Sequence, residues 1–223
     1  MVKKLIHMHV HDLSRNKSLV GQFIHELRDR EIQSDRMRFR RNMERLGEVF
    51  AYEISKTLQY NSVDVTTPLG ISEVTVPSEQ PVIATILRAG LPLHNGLLNY
   101  FDHADNAFIS AYRKHHKDGS FDIKLEYVAC PDLDDRIVII ADPMLATGRS
   151  MILTYRSLLE RGKPSKVHIV SALASTEGID HLKKHLPSDI DFWVGAVDDE
   201  LTAQAYIVPG LGDAGDLAFG SKQ

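Results

Sequence analysis

The sequence predicts an α/β fold: a mainly parallel sheet flanked by helices, preceded by a helical segment and a β-arm. Three observations carry that expectation. From Pro81 onward, short apolar runs rich in β-branched residues alternate with segments of helical periodicity. Those runs are apolar at nearly every position, as suits strands covered on both faces. A chain of 223 residues with 43% hydrophobic content is large enough for one domain with a real core.

Composition narrows the function classes. A net charge of −4 and a pI near 6.2 give no case for broad nucleic-acid binding. A single cysteine, Cys130, excludes an internal disulfide and fits a reducing, cytoplasmic setting. The start, MVKKLIHMHVHDL, has no long apolar stretch of the signal-peptide kind. No apolar run approaches membrane-spanning length, so no membrane partner is expected.

In chain order, residues 1–80 form the helical segment and arm. Leu19, Phe23 and Leu27 recur at helical spacing, as do Phe39, Met43, Leu46, Phe50 and Ile54. Helix is therefore expected through 13–60, its second run from Ser34 to about Leu58. Arg36, Arg38, Arg40, Arg41 and Arg45 spread around that run rather than along one stripe, which favours a solvated face or subunit contact over RNA. VDVTTPLGISEVTV, with its Pro-Leu-Gly turn, reads as a hairpin or extended arm. In the core, 81–200, strands fall at PVIATIL, NAFISAY, IKLEYVAC, RIVIIAD, KVHIVSALAS and DFWVGAV, with Trp193 a core aromatic. Helices fall at Leu91–Tyr100, Ser150–Arg161 and Gly178–His185. A glycine-rich segment, 201–223, closes the chain.

Ligands of such sheets sit beyond the carboxyl ends of the strands. The informative loops therefore follow Leu87, Tyr112, Asp142 and Ser175. The third is the most telling. RIVIIADPMLATGRS runs strand, acid, Thr-Gly turn, helix. Unpaired N–H groups at a helix start bind phosphate, Gly148 permits close approach, and Thr147 and Ser150 add hydroxyls. Asp142 can accept from ribose hydroxyls. The spacing is neither that of a Walker loop nor that of a dinucleotide fingerprint. Arg88 and Arg113 fall at two other strand ends, where guanidinium forks suit phosphate oxygens. The closing Tyr206–Asp216 loop exposes backbone donors and acceptors that could read a planar base.

Together, ILRAGLPL, AYR, ADPMLATGRS and YIVPGLGDAGD, with DRMRFRRNMERLGEVFAYE in the long helix, resemble the uracil phosphoribosyltransferase family of the type I phosphoribosyltransferases. The resemblance implies transfer of the 5-phosphoribosyl group of phosphoribosyl diphosphate (PRPP) to uracil, giving UMP and diphosphate. It implies catalytic roles for Arg88, Asp142 and Asp213. PRPP would be bound by these with Arg113, Pro143, Met144, Leu145, Ala146, Thr147, Gly148, Arg149 and Ser150. Uracil would be bound by Ile207, Gly212, Asp213 and Ala214. Residues 112–126 would form a closing flap. Mg2+ would be held mainly through PRPP and water, without direct protein ligands. A homo-oligomer and GTP as an effector are further implications.

Three departures matter. The phosphate loop has Gly148-Arg149-Ser150 where Gly-Gly-Ser is usual. That Thr-Gly-Arg run also occurs in RNA-binding pyrimidine-operon regulators, the alternative reading; a catalytically weakened paralogue is a third. The flap begins Tyr112-Arg113-Lys114-His115-His116-Lys117, basic where the family is acidic. Pro143 follows Asp142, so one carboxylate serves the ribose. Separately, His7, His9 and His11 alternate and would share a face in a strand. No carboxylate or cysteine is seen to complete a metal set, so a polar strand face is the expectation.

Overall fold

The computed structural model describes residues 8–115 and 121–221, and within 111–125 only backbone. A central sheet takes β1 (His9–Asp12), β4 (Val82–Leu87), β5 (Asp105–His115), β6 (Phe121–Ala129), β7 (Ile137–Ala141), β8 (Met144–Leu145), β9 (Lys166–Ser175) and β10 (Asp191–Asp198). Its strand order is β1-β10-β9-β7-β4-β5-β6, with β8 added beside β9. Every pairing is parallel except β5 with β6. β2 (Tyr60–Thr67) and β3 (Gly70–Pro77) form a separate antiparallel ribbon, and β11 (Glu200–Leu201) pairs with β12 (Ile207–Val208).

Helices cover both faces, as continuous apolar strands require. On one side α1 (Leu19–Arg28), α2 (Arg36–Ser55) and α3 (Leu91–Leu98) bury Leu27, Phe39, Leu46, Phe50 and Leu93 against Ile83, Ile139 and Val170. On the other, α4 (Arg149–Leu158) and α5 (Thr176–His185) bury Ile152, Leu158, Ile179 and Leu182 against Val138, Ile140 and Ile169. Trp193 is a core aromatic, as expected. A short α6 (Ala214–Phe219) ends the described chain and packs on α2.

The helical segment departs from its expectation in two ways. It is broken by two caps: Ser18 Oγ accepts from Val20 N–H, and Asp35 Oδ1 accepts from Met37 and Arg38 N–H. Secondly, α1 is turned by one residue. Leu19 is 71% exposed, while Val20, Ile24 and Leu27 are buried. The α2 arginines are bound rather than merely solvated: Arg40 donates to the Ala218 carbonyl of α6, and Arg38 and Arg41 pair with Glu26 and Glu44. Beyond the NAFISAY and IKLEYVAC runs, β5 and β6 continue to His115 and from Phe121. The expected flap is thus a strand pair up to those residues, while 116–120 lie outside the described residues.

Candidate active site

The parallel strands aim their carboxyl ends at one cleft. Leu87, Arg88 and Ala89 enter it from the end of β4. Asp142, Pro143, Met144, Ala146 and Ser150 enter from the β7–α4 connection. Ala205, Tyr206, Ile207, Gly212, Asp213, Ala214 and Gly215 close it from the C-terminal segment.

The β7–α4 connection is clamped from below. Ser171 Oγ donates to the Asp142 carbonyl and Ser175 Oγ to the Ala146 carbonyl, each at 2.6 Å. The Asp142 N–H donates to the Val170 carbonyl at 3.2 Å. Gly148 then turns the chain at φ +74°, in the left-handed region that favours glycine, and α4 starts with no side-chain cap. Its first-turn N–H groups keep the intrinsic anion preference of a helix start. The loop that follows Ser175 does not line the cleft. Instead Ser175 caps α5, accepting from Gly178 N–H at 2.8 Å, and buttresses the phosphate-type loop.

Arg88 bridges the two halves. Its Nη2 donates to Asp216 Oδ1 at 2.8 Å and to the Gly220 carbonyl at 2.6 Å, while its buried Nε has no hydrogen-bond partner among the described residues. Asp213 caps α6, its Oδ1 accepting from Asp216 N–H at 2.9 Å. The C-terminal loop is moored by a bidentate pair: Arg28 Nη1 and Nη2 each lie 2.8 Å from an oxygen of Asp198. Arg28 also donates to the Gly210 carbonyl, and Gly210 N–H donates to Asp198.

Comparison with known proteins agrees with this geometry. The uracil phosphoribosyltransferase family model matches residues 14–221. A uracil phosphoribosyltransferase of Porphyromonas gingivalis is 53% identical over 215 residues, which span 96% of this chain and 100% of that one. One from Methanococcus vannielii is 41% identical over 194 residues, 86% of this chain and 82% of the relative. The chain belongs to the uracil phosphoribosyltransferase family. The AQ2163 protein of Aquifex aeolicus supports the fold: its structure superposes with a TM-score of 0.84 at 29% identity, over 95% of this chain and 98% of that one. Membership makes the chain an enzyme, a pentosyltransferase. The regulator reading finds no support in the family model or in these relatives.

Of the family residues expected here, Arg88, Asp142, Pro143, Met144, Ala146, Ser150, Ile207, Gly212, Asp213 and Ala214 converge on the cleft. Leu145 lies in the core under α4, and Thr147, Gly148 and Arg149 shape the loop without lining the cleft. Arg149 is exposed, as a solvent-directed side chain should be. The Arg113 side chain lies outside the described residues. Sequence reasoning missed Arg28 and Asp198, and it placed Tyr206 and Asp216 in the closing loop without giving their side chains a part. An acid ending an apolar strand, the signal that picked out Asp142, also marks Asp198.

Of the three alternating histidines, His7 lies outside the described residues, and the premise that no carboxylate stands near the other two needs correcting. His9 lies in register with Asp191 on β10, which places a carboxylate beside His9 and His11. Asp191 is 180 residues from His11 in sequence, so no local spacing could signal it.

Proposed function

We propose that the chain transfers the 5-phosphoribosyl group of PRPP to uracil, releasing diphosphate and forming UMP. The observation that carries this reading is the convergence, on one cleft, of an acid at a strand end, an uncapped helix start, an arginine and a glycine-rich backbone edge. The 5′-phosphate sits on the loop through Ser150, where helix N–H groups and hydroxyls receive it. Asp142 accepts from the ribose hydroxyls. Arg88 offers its guanidinium to the diphosphate, and the family resemblance makes Arg113 a second PRPP-binding residue. Backbone groups around Ile207, Gly212 and Ala214 read the uracil edge, with Asp213 at the junction of base and ribose.

The carboxylates of Asp142 and Asp213 give the cleft hard oxygen donors, which suit Mg2+ carried on PRPP and its waters. When bound, that ion offsets charge on the departing diphosphate. The residues of the chain do the rest. They align the ring nitrogen with the anomeric carbon, stabilise charge and exclude water, and no covalent enzyme intermediate is needed. Displacement at that carbon builds positive charge on the ribose, as in other glycosyl transfers. The proposal extends to a cytoplasmic homo-oligomer, and to GTP as an effector on the strength of the family resemblance.

Incubation with PRPP, Mg2+ and each of the five nucleobases tests the reading. UMP from uracil is the expected product. Fixed backbone donors and acceptors leave groups unpaired against cytosine, so its rate should fall by roughly 10^2 or more. Comparable rates with hypoxanthine or guanine would overturn the assignment.

A further inference from the structure

We propose that His9, His11 and Asp191 form a binding site for a first-row divalent transition metal, zinc foremost, at the amino ends of the sheet strands. The cleft lies at the opposite, carboxyl ends. In a parallel pair, residues in register point to the same face. His9 pairs with Asp191 and His11 with Trp193, so the two imidazoles and the carboxylate share one face of β1 and β10. Each residue can offer one ligand atom such that all three atoms lie within 4.8 Å of one another. His11 Nε2 and Asp191 Oδ1 are 3.2 Å apart. Two ligands at zinc bond lengths in tetrahedral geometry are separated by roughly 3.3 Å, so this pair already stands at a coordination edge.

The surroundings hold these groups in place, as partners behind metal ligands do. The His11 ring stacks on Trp193 with centroids 3.7 Å apart and planes 7° apart. Trp193 Nε1 in turn donates to His168 Nδ1 at 3.2 Å. His168 Nδ1 also lies 3.8 Å from Asp191 Oδ2, but it accepts from the Trp193 indole and so has no proton to give the carboxylate. Lys166 Nζ binds Asp191 Oδ2 at 2.8 Å and also donates to the Asp189 carbonyl. That anchors the ammonium on the Oδ2 side of the carboxylate. Two imidazoles and one carboxylate suit zinc or its neighbours rather than Mg2+ or Ca2+, and three protein ligands leave a position for water. Among the described residues β1 is an edge strand of four residues paired only to β10, so a shared ion would pin it to the sheet.

The test uses untagged, chelator-stripped full-length protein, titrated with Zn2+ against a chromophoric chelator and with Co2+ by visible absorption. One equivalent per chain is expected, with a Co2+ ligand-field band. His9 is exposed, so His9→Ala should keep the circular dichroism spectrum and transferase activity of the parent while weakening binding by at least tenfold. Asp191→Asn should do the same to binding. His181→Ala, which removes one ring of a separate histidine pair on α5, should bind like the parent. Absence of stoichiometric binding would overturn the proposal. So would binding unchanged in both His9→Ala and Asp191→Asn, because the metal would then sit elsewhere.

Discussion

Arg88 shows how one side chain can tie two segments of the cleft together. Its pair with Asp216 is about one-third exposed on both sides, and such pairs add little to stability. Its value lies in orientation. Asp216 and the Gly220 carbonyl hold Nη2 and fix the plane of the fork beside the cleft. Asp216→Asn should therefore leave the melting temperature nearly unchanged and raise KM for PRPP about 3–10-fold, with kcat far less affected. Arg88→Ala should cost about 10^2 in kcat/KM. Equal PRPP kinetics in Asp216→Asn and the parent would remove the positioning role. Asp213→Asn separates fold from chemistry in a similar way. Asn caps a helix as well as Asp does, so α6 should persist while most activity disappears, with circular dichroism and initial rates as readouts. His94 supplies a pH prediction. It is 2% exposed on α3, and burial pushes its pKa below the ordinary 6.5, against a smaller opposite push from Asn106. The unfolded chain takes up that proton near pH 6.5 and the folded chain resists it. Its contribution is therefore complete above pH 6.5 and shrinks as the pH falls below it. Urea midpoints of His94→Gln should drop less between pH 7 and 5 than those of the parent, and parallel curves would contradict this.

At the level of elements, legibility follows how local the cause is. The Pro-Leu-Gly hairpin and the RIVIIAD strand are set by turn chemistry and continuous apolar runs, and both form where the sequence places them. The rotation of α1 is not legible, because Leu19/Phe23 and Val20/Ile24 are adjacent apolar stripes and only packing chooses between them. β1 is hidden too: four residues, two of them histidine, become a strand only by pairing with β10. Within the site, the Asp142–Ser150 loop is legible because strand, acid, turn and helix start are contiguous. The mooring ties Arg28 to Asp198 and Gly210, 170 and 182 positions away, and leaves no spacing to read. The α2–α3 crossing is likewise tertiary. A Cβ on Gly47 would run into the Leu93 carbonyl, and one on Gly96 into the Glu44 carbonyl. Overpacking of this kind costs about 1–3 kcal/mol. Gly96→Ala should thus lower the melting temperature by roughly 2–10 °C, without altering KM for PRPP in the fraction that folds. A calorimetric scan with no downward shift would show that the crossing has slack.

Across the whole molecule, the sheet separates the two candidate sites along its strands. The carboxyl ends of β4 and β7 open on the cleft, the amino ends of β1 and β10 hold the histidine–aspartate cluster, and the β2–β3 ribbon stands outside the sheet. That ribbon is the feature a single chain explains least well. All of its residues are at least partly exposed, and an isolated two-stranded hairpin is marginal in water. Its register puts Val63 opposite Val74, and Asn61 opposite Val76, so Val63, Val65, Val74 and Val76 line one face while Asp64 and Glu73 occupy the other. The four valines are 37–41% exposed. An amphipathic ribbon with an uncovered apolar face fits the homo-oligomer proposed above, the valine face lying against a second copy of the chain. Sedimentation of the parent should then give a particle at least twice the 25.0 kDa chain mass. Placing like charges opposite one another in Val63→Lys/Val74→Lys should shift the equilibrium toward monomer by at least tenfold in dissociation constant, since a charge buried against an apolar partner surface is strongly disfavoured. The ribbon lies apart from both core clusters, so the variant should keep the circular dichroism spectrum of the parent. A parent that sediments as a monomer, or a double variant that assembles as the parent does, would free the ribbon from this role.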